Sequence, residues 1–151
     1  MFKSILILCI GNICRSPVAE GILKKLSEQH QLGLTVSSAG VHAMVDDPAQ
    51  PHSIAVASEN GIDIKSHRAR QLTADIIQAH DLILVTDEPV RRIVMQQYPF
   101  ATGKIKKLGN FRNQEIVDPY RKPKKDFETM YVDIEGCLQD WLKKIWRINA
   151  I

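Results

Sequence analysis

The 151-residue sequence lacks any long apolar run; the longest, Ile5 to Ile10, ends at Gly11-Asn12. That is too short to cross a membrane, and it has neither the longer apolar region nor the small-residue cleavage site of a signal peptide. Cysteine is scarce: three residues, scattered and odd in number, which excludes a disulfide-stapled secreted mini-fold. No Cys-x-x-Cys pair and no second Cys/His cluster occurs, so no metal site is expected. Charge of one sign is missing too, with 20 Lys+Arg against 17 Asp+Glu and a formal net charge of +3. So mild a balance implies neither nucleic-acid binding nor disorder. What is present is 44% hydrophobic residues in a chain of one-domain length, enough for one buried core spanning 1–151. Composition therefore predicts a soluble, cytoplasmic protein with free thiols.

The pattern along the chain predicts alternating strands and helices. Ile5-Leu-Ile-Leu-Cys9 reads as a strand buried on both faces. Ser16 offers an N-cap hydroxyl and Pro17 suits a first helical position, so a helix follows directly and fades near His30. Leu34-Thr-Val-Ser-Ser38 reads as a second strand, and Val41 to Pro51 as an exposed loop. Short helices are expected from His52 to Asn60, stopped by Gly61, and from a Thr73 cap to Ala79. Asp81 to Thr86 is a third buried strand, Pro89 opens a helix that Pro99 closes, and Lys104 to Leu108 is a guarded edge strand. The last helix carries Phe127, Tyr131, Ile134, Leu138, Trp141 and Ile145 in one stripe. The sum is an α/β single-domain three-layer sandwich: a four-stranded parallel sheet, right-handed crossovers and helices on both faces. Ligands of such sheets bind beyond the carboxyl ends of the strands, where strand order reverses.

The first strand–helix junction reads Cys9-Ile10-Gly11-Asn12-Ile13-Cys14-Arg15-Ser16-Pro17. A loop this short, opening onto a helix, aims several backbone N–H groups and the helix's partial positive charge at one centre, which suits an anion. Gly11 and Asn12 tolerate the unusual dihedrals such a turn needs. Arg15 supplies a planar fork for two oxygens of a tetrahedral oxyanion. A thiol facing that positive environment is favoured as the nucleophilic thiolate. Placed below a bound phosphate, Cys9 is set for in-line attack on phosphorus, with the Ser16 hydroxyl beside it to ease its departure.

Cys9 to Pro17 resembles the C-x5-R-[ST] phosphate loop of the low-molecular-weight protein tyrosine phosphatases, and the likeness runs over nearly the whole chain. Ser37-Ser38-Ala39-Gly40, His67-Arg-Ala-Arg70, Asp81-Leu-Ile-Leu and Asp118-Pro119-Tyr120 occur in that family's order. Asp118-Pro-Tyr-Arg-Lys122 resembles the bacterial exopolysaccharide-associated branch more than the animal branch, which has a second Tyr where Arg121 stands. The resemblance implies a phosphate loop between the first strand and first helix, with Ile10, Gly11, Asn12, Ile13, Cys14 and Ser16 around the substrate phosphate. It implies Asp118 as general acid and base, a role the chemistry also requires, because a phenolate leaving group departs far better when protonated. Asn12, Ser38 and His67 would hold the loop, and Met44 and Tyr120 would wall the substrate crevice. The implied enzyme is metal-free and cofactor-free, a monomer, binds no nucleic acid and acts on phosphotyrosine in protein. The branch makes a tyrosine autokinase of polysaccharide export the natural substrate.

Other readings are weaker. A thiol-dependent arsenate reductase of the same group needs resolving cysteines beyond residue 80, where only Cys137 occurs, in a helix. A sugar-phosphotransferase component with a reactive Cys after its first strand has no need of Arg15 or Asp118. The presence of Cys9, Arg15 and Asp118 together argues against a phosphotyrosine-binding module without turnover. Cys14 stands open between a thiol that traps oxidised Cys9 as a disulfide and a small buried side chain, whereas Cys137 reads as packing. The basic stretches Arg91-Arg92, Lys104 to Lys107 and Lys122 to Lys125 read as solvated faces. Asp46-Asp47, Gln50-Pro51 and Thr86-Asp87 depart from the family pattern. They are expected to bear on substrate preference and not on the chemistry.

Overall fold

The computed structural model describes residues 1–148; the last three positions of the expected domain lie outside the described residues. Four parallel strands, β1 (Ser4–Cys9), β2 (Thr35–Gly40), β3 (Leu82–Val85) and β4 (Ile105–Lys107), form one sheet in the order β2-β1-β3-β4. Five helices connect or follow them: α1 (Arg15–Gln29), α2 (Pro51–Glu59), α3 (Ala74–Gln78), α4 (Glu88–Gln97) and α5 (Lys124–Lys144). A short 3₁₀ turn, Pro99–Lys104, leads into β4. This is the three-layer parallel α/β fold expected from the sequence, with β4 at the edge.

The two cores follow from strand periodicity. Successive side chains of a strand point to opposite faces. Ile5 and Ile7 of β1, with Leu82 and Leu84 of β3, pack against α1, α2 and α5. Leu6 and Leu8, with Ile83 and Val85, pack on the other face against α3 and α4. All eight are fully buried, each contributing roughly 1.5–3 kcal/mol relative to exposure. The α5 stripe docks as expected, and its Trp141 indole donates to the Leu108 carbonyl at 2.8 Å, joining the helix to the end of β4. Ile145 is the exception in that stripe: it is only partly buried, because the helix ends at Lys144.

Four local expectations need correction. β2 runs two residues further than Ser38, because Ala39 and Gly40 still pair with Leu8 and Cys9. Gly40 is required there: a Cβ would lie 2.5 Å from the Ile10 carbonyl oxygen. The first helix starts at Arg15, so Ser16 is inside it and caps nothing. Cys14 holds the cap position without a side-chain hydrogen bond, leaving the first-turn N–H groups without side-chain partners. Gly11 does not adopt a left-handed backbone; Asn12 does, with φ 61°. α4 starts at Glu88, one residue before Pro89, and Asp87 caps it, its carboxylate accepting from Val90 N–H.

Candidate active site

β1 lies between β2 and β3, so the chain leaves it at the point where strand order reverses. A crevice opens there. Its floor is Cys9, Ile10, Gly11, Ile13, Cys14 and Arg15, and its walls are His42 and Met44 on one loop and Asp118 and Tyr120 on another. Sheet order sets the walls apart: the first loop follows β2, with Val41 N–H on the Cys9 carbonyl. The second is tied to the end of β3 by Ile116 N–H on the Thr86 carbonyl. Met44 is held over the floor by its N–H on the Gly11 carbonyl. Tyr120 N–H donates to Asp118 Oδ1 at 3.1 Å, orienting that carboxylate.

Asn12 and Ser16 do not line the crevice; both are fully buried beneath it. Asn12 Nδ2 donates to Ser16 Oγ at 2.7 Å and to Ser38 Oγ at 3.0 Å. Its Oδ1 accepts from Arg70 N–H, and Ser38 donates to Glu20 at 2.5 Å. Because Ser16 Oγ already accepts from Asn12, its own proton is free for the Cys9 sulfur 2.9 Å away. Asn12 N–H also donates to that sulfur at 3.3 Å. His67 Nε2–H donates to the Asn12 carbonyl at 2.7 Å, and Arg70 Nε to the Ser38 carbonyl at 2.9 Å. The left-handed turn at Asn12 is thus held from both its backbone and its amide. From the α2 side, Ser53 donates to the Cys14 carbonyl at 3.2 Å and Gln50 N–H to that of Ile13 at 2.8 Å.

Arg15 is 1% exposed, and its guanidinium donates to Asp87 Oδ2 at 2.6 Å and to the Ile116 carbonyl at 2.8 Å. Its other terminal nitrogen lies 3.9 Å from Asp118. Burial opposes that charge, but the Cys9 sulfur and Asp87 outweigh it and hold Arg15 more firmly protonated than usual. Burial first, then Asp118 and Cys9, push the Cys14 thiol up to about 12. The sequence assigns no individual role to Glu20, Arg70 or His42. Asp87, expected to bear only on substrate preference, is instead the residue that anchors Arg15. Among the described residues, no group of three or more His, Cys, Asp or Glu is gathered as metal ligands.

A thiol at the floor of a short loop, with a buried guanidinium beside it and an acid on the wall, defines a cysteine-containing crevice at the carboxyl end of a parallel α/β sheet. The family model for low molecular weight phosphotyrosine protein phosphatase matches residues 4–149, and the chain belongs to that family. It is 40% identical over 145 residues to the probable low molecular weight protein-tyrosine-phosphatase EpsP of Ralstonia nicotianae, covering 96% of this chain and 97% of that one. Among solved structures it is similar to Vibrio vulnificus Wzb in complex with benzylphosphonate, with TM-score 0.90, 38% identity and 96% and 100% of the two chains covered. It is similar also to Escherichia coli K30 Wzb in complex with sulphate, with TM-score 0.89, 36% identity and 96% and 99% covered.

Proposed function

We propose that the chain hydrolyses phosphotyrosine in protein through a cysteinyl-phosphate intermediate, with Cys9 as nucleophile. The observation that carries this reading is the convergence of the Cys9 sulfur, Arg15 and Asp118 on one crevice. The Cys9 sulfur forms a bond to phosphorus as the phosphorus–oxygen bond to the tyrosine breaks. Asp118 gives its proton to the departing phenolate. Asp118 then takes a proton from water, which attacks phosphorus and releases inorganic phosphate and the thiolate. Arg15, fixed by Asp87, and the loop N–H groups hold the phosphate oxygens throughout, stabilising charge that grows in the transition state. Ser16 stabilises the sulfur as leaving group. This scheme needs no metal or cofactor.

The rim supports a protein substrate. Met44 and Tyr120 are exposed apolar residues that line the crevice, and exposed Val45 and Val117 stand beside Met44 and Asp118 in the chain, apolar surface suited to a polypeptide. By likeness to the exopolysaccharide-associated relatives, we assign a cytoplasmic monomer acting on a tyrosine autokinase of polysaccharide export. Among the described residues no helix is long and apolar enough to cross a membrane. The test is release of phosphate from matched phosphotyrosyl and phosphoseryl peptides, and from the tyrosine-rich tail of such a kinase. Preference for phosphotyrosine, lost in Cys9→Ser, is expected; equal turnover of phosphoserine would overturn the substrate class.

A further inference from the structure

Three non-glycine residues with left-handed backbone surround the crevice: Asn12 beneath it (φ 61°), Asp46 beyond Met44 on one wall (φ 69°) and Arg121 beyond Tyr120 on the other (φ 66°). Side-chain-bearing residues rarely adopt this conformation. Asn12 is accounted for by the loop it holds. Asp46 and Arg121 touch none of the proposed chemistry. Arg121 carries its guanidinium 5.3 Å from the centre of the Tyr120 ring, a cation–π stack on a residue that lines the crevice. Arg121 is exposed, and among the described residues its guanidinium makes no ion pair and no hydrogen bond, so its donors are available to a ligand at the Tyr120 side of the crevice.

The two walls differ in sign. Exposed Asp46 and Asp47 belong to the wall that follows β2; Arg121 and Lys122 belong to the wall tied to β3. Since β2 and β3 flank β1, these charges lie on opposite sides of the phosphate loop. A phosphotyrosine delivered by an extended segment brings its neighbours across both rims, about 3.3 Å of chain per residue.

We infer that Arg121 is a specificity-determining residue: it reads an anionic group, a carboxylate or a second phosphate, flanking the phosphotyrosine on the Tyr120 side. Asp46 and Asp47 repel the same group from the other rim, so the mouth sets the direction in which a charged segment lies. This inference rests on the phosphotyrosine reading above.

The experiment compares kcat/KM for four phosphotyrosyl peptides: neutral on both sides, Glu on the amino side only, Glu on the carboxyl side only, and a second phosphotyrosine in the favoured Glu position. One Glu orientation is expected to exceed the neutral peptide by about 2- to 5-fold, the range of an exposed ion pair. The preference should fade at about 0.5 M salt, where such pairs are screened. Arg121→Gln should remove it, while Asp46→Asn should raise the disfavoured orientation. The doubly phosphorylated peptide separates the two anion sources: turnover above the Glu peptide that falls in Arg121→Gln assigns the preferred anion as phosphate, and turnover below it assigns a carboxylate. A preference that survives Arg121→Gln, or its absence in the wild type, overturns the inference. Turnover of para-nitrophenyl phosphate, which has no flanking residues, is the independent check. Its failure in the wild type would count against the phosphatase reading itself, whereas normal turnover with no charge preference would count against Arg121 alone.

Discussion

The Arg15 guanidinium donates to the Asp87 carboxylate at 2.6 Å, and that carboxylate is at once the N-cap of α4. One residue therefore ties the phosphate loop to the helix that follows β3. Asp87→Asn keeps the shape but removes the charge opposite a buried cation. The expected result is a loss of about 10- to 100-fold in kcat/KM on para-nitrophenyl phosphate, since a misplacement near 1 Å can cost that much. Inhibition by inorganic phosphate should weaken in parallel. Unchanged phosphate inhibition would show that Arg15 needs no anchor.

Asn12 allows a separation of backbone from side chain. Asn12→Gly keeps the left-handed turn and loses the amide's bonds to Ser16, Ser38 and Arg70; Asn12→Ala loses both. The left-handed penalty for alanine is about 1–2 kcal/mol and each lost hydrogen bond costs about 1 kcal/mol. Urea unfolding should therefore rank wild type above Asn12→Gly above Asn12→Ala. Equal stability of the two variants would mean that the turn carries no strain.

Asp118 should matter in proportion to how badly the leaving group needs a proton. Asp118→Asn is expected to slow phenyl phosphate hydrolysis by about 10²–10⁴-fold and dinitrophenyl phosphate far less. A uniform loss across leaving groups would reassign the acid.

Stability should fall on the alkaline side. Tyr131 is pushed up to about 12, by burial first and then by Glu135, and Cys137 up to about 11, mainly by burial. The folded chain keeps these protons longer than the unfolded one, so their contribution is complete below the ordinary values of 10.0 and 9.0 and is lost as pH rises through the folded ones. The urea midpoint should drop between about pH 9 and pH 12, and drop less in Tyr131→Phe. Identical slopes would remove Tyr131 from the account.

The two thiols of the loop should react differently. With Cys14 held up to about 12, it is protonated at neutral pH, so iodoacetamide should label Cys9 first and abolish activity stoichiometrically. Peroxide followed by added thiol then separates the two readings of Cys14. Poorer recovery in Cys14→Ser supports a trapping disulfide; equal recovery leaves Cys14 a packing residue.

Most of the loop was legible because its members are contiguous: Cys9, Asn12, Arg15 and Ser16 stand within one strand–helix turn, and the apolar run before them could only be a buried strand. Ser16 was read correctly as a neighbour of the Cys9 sulfur and wrongly as a cap, since a hydroxyl just before a proline fits both patterns. The role of Asp87 is not legible in the sequence because its contact with Arg15 exists only once β3 lies beside β1; its one sequence signal is an acid two residues past the buried run Leu82 to Val85. Gly40 lies past the strand end expected at Ser38, and nothing in the sequence shows the close approach of the Ile10 carbonyl that excludes a side chain there. Glu20 and Arg70 look like ordinary helix and loop charges until the Ser38 hydroxyl and carbonyl come between them.

The most direct test of the central claim is hydrolysis of para-nitrophenyl phosphate in EDTA by the wild type and by Cys9→Ser. The account predicts turnover that survives chelation and disappears in Cys9→Ser, with a phosphate-dependent rise in Tm in the wild type showing a folded, anion-binding site. A folded wild type without turnover, or a Cys9→Ser variant that still turns over, would contradict it.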